Sequence, residues 1–266
     1  MRYIADHDFH IHSHLSSCSS DPEQTSERIL KYALQNNFKT VCLSNHYWDS
    51  AVSGASDWYK SQNFDHIKTA LPLPQSETCE FLFACETDMD RYFRLGIPKE
   101  RYDDFDFIIV PTTHLHMRSF TYLPEEDNVK DKARLYVQRF DAFLDSDLPF
   151  HKVGIAHLTA NLVLAQNDEY LKVLDSIDDA TFSRLFARCA ELGCGVELNI
   201  HLHQITDEKF APSVIRPYLI AKEQGCKFYL GSDAHHPREL DGARERFERI
   251  IDVLDLSESD KFHIGK

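Results

Sequence analysis

Histidine and acidic side chains recur along this chain at spacings that suit metal binding. The densest stretch is Asp8-Phe9-His10-Ile11-His12-Ser13-His14. In a β-strand, alternate side chains point to the same face, so His10 and His12 would project side by side with Cα atoms about 7 Å apart. Imidazole is a common ligand of zinc, iron, copper and nickel. Taken alone, the stretch also fits a solvated polar strand face, because the chain contains 15 histidines.

Further histidine and acidic residues stand at the predicted carboxyl ends of other strands. They are His46, Glu86, His114, His157, Asp233 and His235. Barrel enzymes build their active sites on this rim, from the ends of several strands. A mixed nitrogen and oxygen set without thiolate suits Zn, Mn or Fe. With His10 and His12 the set is too large for one ion, and a cluster of two or three ions could hold a phosphate and supply a hydroxide nucleophile.

The elements that would position these residues alternate between strands and helices. Strands are predicted at 3–12, 40–46, 81–86, 105–110, 153–157, 195–199 and 227–231. Helices are predicted at 21–37, 128–145, 180–192, 212–224 and 241–254. This alternation indicates parallel β-α units, which form either an α/β barrel or a doubly wound sheet. The strand-end positions of the candidate ligands favour the barrel, and the irregular residues 47–78 are predicted to cover its site.

Length and composition indicate one soluble domain over residues 1–266, with 42% hydrophobic and 27% charged residues. The net charge of −14 disfavours nucleic acid as a partner, because an acidic surface repels a phosphate backbone. Seven cysteines without a C-x-x-C pair indicate reduced core thiols in a cytoplasmic protein. Neither a signal peptide nor a membrane span is expected from the sequence.

The order of the candidate ligands resembles that of the PHP family, the polymerase and histidinol phosphatase domains. The resemblance extends from Asp8 to about Arg249. It rests on His10-x-His12, His46, Glu86, His114, His157 and Asp233-x-His235. It implies a distorted (β/α)7 barrel of the TIM type, a trinuclear metal site, and phosphoesterase activity of the histidinol phosphatase kind.

The resemblance also implies how the ligands divide among the ions. The first ion would be held by the residues to which catalysis is also assigned, His10, His12, Glu86 and Asp233. Glu86 would bridge to a second ion bound by His114 and His157, and the third would be held by His46 and His235. The family places one more ligand after the first motif. Asp21 is the suitable residue there, although it also fits a helix N-cap, and Cys18 is a weaker alternative.

The sequence departs from histidinol phosphatases in the residues that bind phosphate. Residues 158–162 and 198–203 contain none of the arginines that the resemblance leads one to expect. The remaining candidates are Arg91, Arg94, Arg118 and Arg238, and rim histidines that could contact substrate are His14, His116, His203 and His236. We therefore expect a small phosphomonoester substrate, with histidinol phosphate not strongly preferred. Selectivity is predicted to come from the segment around Trp48, Trp58 and Tyr59.

Two other functional classes remain open. A metal-dependent amidohydrolase also begins with H-x-H and ends with a strand-borne aspartate, but it usually adds a bridging carboxylated lysine at a strand end. No lysine ends a predicted core strand here, and Glu86 takes the bridging role instead. A non-catalytic PHP-like module is the second alternative, and such a module would be expected to have lost ligands.

Overall fold

Seven parallel strands form a nearly closed barrel in a single α/β domain, and a further strand of two residues pairs with one of them. The computed structural model describes residues 1–166 and 168–265. The strands are β1 (His7–Ile11), β2 (Thr40–Leu43), β3 (His46–Tyr47), β4 (Glu80–Thr87), β5 (Phe107–Pro111), β6 (Val153–Ala156), β7 (Gly195–Leu198) and β8 (Lys227–Leu230). They pair in the order β1-β2-β4-β5-β6-β7-β8, and β3 pairs with β4. The predicted distorted (β/α)7 barrel is confirmed.

Helices connect the strands around the outside of the barrel. They are α1 (Ser26–Gln35), α2 (Phe64–Ile67), α3 (Val129–Leu144), α4 (Glu169–Asp175), α5 (Asp179–Leu192), α6 (Leu202–Thr206), α7 (Ala211–Glu223), α8 (Pro237–Leu240) and α9 (Ala243–Val253). The starts of α1, α3 and α5 are set by Thr25, Asn128 and Asp178. Each of these side chains accepts a hydrogen bond from the backbone N–H three residues on.

Two predicted boundaries near the N-terminus were wrong. The first strand begins at His7 rather than at residue 3. The first helix begins at Ser26, and its N-cap is Thr25, not Asp21. The Asp21 carboxylate instead accepts a hydrogen bond from the backbone N–H of Glu23. A local turn of this kind uses the same acidic chemistry as a cap, which explains the error.

The predicted strand 40–46 is interrupted at Ser44 and Asn45. The Ser44 hydroxyl accepts a hydrogen bond from the backbone N–H of Ile11, and the Asn45 side-chain oxygen accepts one from that of Ser13. These side chains replace the regular pairing between strands at this point. The chain then pairs again as β3, which places His46 opposite Glu86 on β4.

The barrel closes between β1 and the segment after β8. The Asp233 N–H donates to the His10 carbonyl oxygen, and the His12 N–H donates to that of Ala234. Asp8 supports the closure, because its buried carboxylate accepts hydrogen bonds from the Ser232 backbone N–H and the Tyr32 hydroxyl. The two ends of the sheet therefore meet at the candidate ligands.

The hydrophobic core has an inner and an outer layer. The inner layer fills the barrel and includes Phe9, Phe107, Tyr229 and, from the C-terminal segment, Phe262. Ile11 belongs to the outer layer, between strands and helices. Strict alternation would put Phe9 and Ile11 on one face, but the pairing of β1 with β2 shifts register between Asp8 and Ile11. The shift lets Phe9 fill the barrel while the next residue, His10, also points inward.

The structure bears on the predictions of reduced core thiols and of no membrane span. Six cysteines are buried free thiols, as predicted, but Cys18 is exposed and lines the cavity described below. Within residues 1–166 and 168–265, no helix is both long and apolar enough to cross a membrane.

Candidate metal centre

Four candidate ligands meet where β1, β4 and the segment after β8 come together. His10, His12, Glu86 and Asp233 offer donor atoms that all lie within 4.8 Å of one another. For the pairs that include a histidine, the separations range from 3.0 Å between the two Nε2 atoms to 3.5 Å between His10 Nε2 and Glu86 Oε2. Tetrahedral donors at the usual zinc distances lie about 3.3 to 3.6 Å apart. The residues therefore fit a divalent transition metal.

Glu86 joins this group to a second one, formed with His114 and His157. Its Oε1 atom lies 3.2 Å from His157 Nε2 and 3.8 Å from His114 Nε2. Its other oxygen, Oε2, faces His10 and His12. One carboxylate thus presents an oxygen to each group, which is the arrangement of a bridging ligand.

A third group consists of His12, His46 and His235. The His12 ring stacks on that of His235 at a centroid distance of 4.1 Å and lies 4.5 Å from that of His46. The three groups together contain all eight strand-end candidates. Because they share Glu86 and His12, they form one continuous cluster.

Several buried ligand atoms of the cluster have no hydrogen-bond partner among residues 1–166 and 168–265. They are Glu86 Oε2, Asp233 Oδ1 and His46 Nδ1. His46 Nδ1 lies 2.9 Å from Glu86 Oε2, but in a geometry that does not make a hydrogen bond. Leaving buried polar atoms unpaired costs free energy unless another partner satisfies them. Coordination of cations would satisfy all three.

Glu197 orients His10 from inside the barrel. Its Oε1 lies 2.6 Å from His10 Nδ1, and its Oε2 accepts a hydrogen bond of 2.6 Å from the backbone N–H of His157. With Nδ1–H donated to this carboxylate, His10 presents Nε2 to the cluster. Such carboxylate–histidine pairs fix the tautomer and raise the basicity of a ligand. Glu197 was not predicted as a site residue, and its only sequence signal is an acid inside an apolar strand.

Other imidazoles of the cluster are held in the same way. The Nδ1 atoms of His12 and His157 lie 2.9 Å and 2.8 Å from the hydroxyl oxygens of Ser16 and Thr113. The Ser16 hydroxyl donates to the Asn45 side chain, so it accepts from His12. Nδ1 of His12 and of His157 is thereby occupied, and Nε2 faces the cluster.

His114 is held by a buried ion pair. Its Nδ1 lies 3.0 Å from Asp88 Oδ2, and the other carboxylate oxygen accepts a hydrogen bond of 2.7 Å from Arg139. Arg139 is fully buried on α3 and also donates to the backbone oxygens of Thr112 and Met89. The ion pair between Arg139 and Asp88 connects α3 to the strand ends. Because Asp88 also contacts His114, the pair restricts the orientation of the His114 ring.

The electrostatics of the cluster keep its carboxylates ionised. Burial raises the pKa of Glu86, but His46 and His10 outweigh it and hold that pKa well below its usual value. The pKa of Asp233 is likewise well below the usual value, because His10 and His235 outweigh burial. Burial, together with His12, lowers the pKa of His235 to about 3. The carboxylates and His235 are therefore in their metal-binding forms at neutral pH.

Two ligands hold an unusual backbone conformation. His157 has φ of 31° and Asp233 has φ of 54°, both in the left-handed region. Such conformations cost on the order of 1 to 3 kcal/mol in non-glycine residues and concentrate at functional sites. His157 directly follows β6, and Asp233 lies three residues after the end of β8. At both positions the chain turns beyond a strand end, next to the cluster.

Two solved structures share this architecture. One is a protein from Listeria monocytogenes assigned as a histidinol phosphatase, HisK, with a TM-score of 0.62 and 14% identity over 88% of this chain and 97% of that one. The other is histidinol phosphate phosphatase HisK from Lactococcus lactis, solved with zinc, L-histidinol and phosphate. It has a TM-score of 0.53 and 13% identity over 97% of this chain and 98% of that one.

The chain has the fold of the histidinol phosphate phosphatases. At 13–14% identity, this likeness is one of fold. No protein-family model matches the sequence, and no curated protein matches it. The resemblance inferred from the ligand pattern is thus confirmed at the level of the fold.

A cavity of about 690 Å³ opens over the cluster of candidate ligands. The candidate ligands that line it are His46, Glu86, His114, Asp233 and His235. Its other lining residues come from two loops, 56–59 and 116–120, together with Cys18 and Leu162. Of residues 47–78, which were predicted to cover the site, Ser56, Trp58 and Tyr59 lie in the cavity wall.

Some of the other predicted site residues line the cavity, and others do not. Of the four candidate arginines, Arg118 lines the cavity, whereas Arg94 donates to Ser53 and Arg91 donates to Ser119 and Tyr92. Among the candidate rim histidines, His116 lines the cavity. Asp21 belongs to none of the three groups of ligand atoms.

Proposed function

We propose that this protein is a metal-dependent phosphomonoesterase that acts on small substrates. The observation that supports the proposal most directly is the bridging position of Glu86 between two groups of ligand atoms. A shared carboxylate positions two cations close together, as in two-metal phosphatases. The histidinol phosphate phosphatase of Lactococcus lactis, which has the same fold, was solved with zinc and phosphate.

Cations bound by such donors neutralise phosphoryl charge and lower the pKa of water towards neutrality. The protein's own residues prepare the site for this chemistry. Glu197 and Asp88 fix the rings of His10 and His114. Pre-organised ligands need little rearrangement during reaction, which is the main source of electrostatic stabilisation in enzymes. Trp58 and Phe120 present apolar side chains to the cavity above the cluster.

The proposal is tested by measuring phosphate release with Zn, Mn or Fe added to the purified protein. The panel contains histidinol phosphate, a nucleoside monophosphate, phenyl phosphate and a short single-stranded DNA. We expect release from more than one monoester and a preference for histidinol phosphate of less than about a hundredfold. Release from none of the monoesters in folded, metal-loaded protein would refute phosphatase activity.

No observation favours the two alternative classes over this one. An amidohydrolase of the usual kind needs a carboxylated lysine, and no lysine lines the described part of the cavity. Lys132 is a fully buried lysine. Its ammonium group donates to the backbone oxygen of Leu115 and pairs with the Asp127 carboxylate. A non-catalytic module would have no need to bring all eight ligands together.

A further inference from the structure

The cavity over the cluster is much larger than a phosphoryl group requires. Its volume of about 690 Å³ lies within the range of sites for small organic molecules. Its floor consists of candidate metal ligands, which would hold the phosphoryl group. The rest of the cavity must therefore accommodate the leaving group of the ester, and its lining indicates what that group is.

One wall of the cavity is apolar and largely aromatic. It consists of Trp58, Tyr59, Met117 and Phe120. Leu162 also lines the cavity. Tyr59 and Phe120 are buried and form with Trp48 a hydrophobic cluster separate from both layers of the main core. Trp58 and Met117 are only partly buried and pack against this cluster. Because the wall is backed by buried side chains, its shape is set before a substrate binds.

Trp58 lies where the wall meets the metal ligands. Its ring is edge-on to His46 at a centroid distance of 4.9 Å and to Tyr59 at 4.7 Å. A ring attached to a phosphate held by the cluster would meet this indole first. Offset and edge-to-face contacts between aromatic rings stabilise a complex beyond the burial of their apolar surface. The wall therefore favours a planar aromatic leaving group over a small aliphatic one.

The charges around the cavity discriminate against a cationic leaving group. Its described lining contains two carboxylates, Glu86 and Asp233, and both belong to the ligand groups. Arg118 is the one arginine or lysine in that described lining, and it is exposed. Its guanidinium makes no hydrogen bond or ion pair with residues 1–166 and 168–265. An ammonium group would thus find repulsion here, and an anion would find a partner.

We propose that the preferred substrate is an aryl phosphomonoester whose ring stacks on Trp58 and carries an anionic substituent bound by Arg118. This inference rests on the phosphomonoesterase function and names the substrate class of that same site. In the reaction, water adds to phosphorus as the bond between phosphorus and the aryl oxygen breaks. One proton of the water goes to the released aryl oxygen, and the other remains on the phosphate.

Binding of three non-hydrolysable phosphonates to the metal-loaded protein tests the proposal by calorimetry. 4-Carboxyphenylphosphonate should bind about fivefold more tightly than phenylphosphonate, because it adds one partly solvated ion pair. Phenylphosphonate should bind at least tenfold more tightly than 2-aminoethylphosphonate, which brings an ammonium and no ring. Equal or tighter binding of 2-aminoethylphosphonate would overturn the inference.

Variants assign each preference to its residue. Arg118→Ala should abolish the advantage of the carboxylate while phenylphosphonate binds as in the wild type. Trp58→Ala should weaken both aryl phosphonates about tenfold and leave 2-aminoethylphosphonate unchanged. Arg28→Ala, which removes an exposed arginine on α1, is the matched control and should change none of the three. An unaltered carboxylate preference in Arg118→Ala would show that Arg118 is not the anion partner.

Phosphate release from phenyl phosphate separates failure of the inference from failure of the function. If phenyl phosphate is hydrolysed but the phosphonates bind in the wrong order, the phosphatase proposal stands and the substrate class is wrong. If no ester is hydrolysed and no phosphonate binds the folded, metal-loaded protein, both proposals are overturned.

Discussion

At the scale of single residues, the site depends most on Glu86. The side chain is 1% exposed and directs one oxygen to each of two ligand groups. An isolated carboxylate at this depth would be strongly destabilised, because burial disfavours its charged form. The surrounding imidazoles offset part of that cost, and bound cations would offset more. The residue is thus better explained by metal binding than by stability.

We predict that Glu86→Gln lowers turnover at least a hundredfold, about 2.7 kcal/mol of transition-state stabilisation. An amide keeps the size of the side chain but lacks the charge needed to bridge two cations. Metal content should fall while circular dichroism shows an intact barrel. Glu77→Gln, at an exposed position, serves as control. Phosphatase activity close to the wild-type value in Glu86→Gln would show that Glu86 is not the bridge.

Glu197 acts on the site through His10. We predict that Glu197→Gln weakens metal binding by about 10- to 100-fold, the usual effect of losing a carboxylate partner of a metal-binding histidine. The affinity is measured by competition with a chelator, and Glu191→Gln, at an exposed position on α5, is the control. Unchanged metal affinity in Glu197→Gln would show that Glu197 does not support metal binding through His10.

At the scale of elements, the close approach of β1, β7 and the end of β8 depends on Gly231. A Cβ atom at this position would collide with the Glu197 carboxylate and with the His10 Cβ atom. The side chains of β1 and β7 can therefore meet only because the residue that follows β8 is a glycine. The pairing of Glu197 on β7 with His10 on β1 therefore depends also on the residue that follows β8.

We predict that Gly231→Ala destabilises the fold by about 1 to 3 kcal/mol, the usual cost of overpacking, and weakens metal binding. Denaturant unfolding measures the first effect and chelator competition the second. In combination with Glu197→Gln, the loss of metal affinity should be less than the sum of the two single losses, because both changes act on the same pair. Additive losses would mean that Gly231 and Glu197 act independently.

Much of the site could be predicted from the sequence, because strand ends are visible in it. His46, Glu86 and His157 each follow a short apolar run, and the carboxyl ends of parallel strands meet on one rim. The partner of Glu197 could not be predicted, since His10 lies 187 positions away. The register shift in β1 could not be predicted either, because it depends on pairing with β2.

At the scale of the whole molecule, residues near the two ends of the chain pack together at the end of the barrel opposite the cluster. Phe262 packs into the inner core layer, and Lys261 donates a hydrogen bond of 3.1 Å to Asp6, the residue before β1. Asp6 also lies 3.0 Å from His7 Nδ1. Burial raises the pKa of Asp6, but His7 and Lys261 outweigh it and hold that pKa at about 2.

This depressed pKa predicts an acid-dependent contribution to stability. Because the folded pKa of about 2 lies below the unfolded value of 3.8, the contribution is complete above pH 4 and is lost as the pH falls towards 2. Asp6→Asn should lower the free energy of unfolding by about 1 kcal/mol at pH 7, after allowance for solvent screening. The difference from the wild type should shrink between pH 4 and pH 3. A difference that stays constant down to pH 3 would contradict this assignment.

The central claim, that eight strand-end side chains form one multinuclear metal site, is tested most directly by the metal content of the folded protein. Elemental analysis of protein purified without chelator should find two to three equivalents of Zn, Mn or Fe per chain. Less than one equivalent, in protein that is folded and has been offered these metals, would contradict the account.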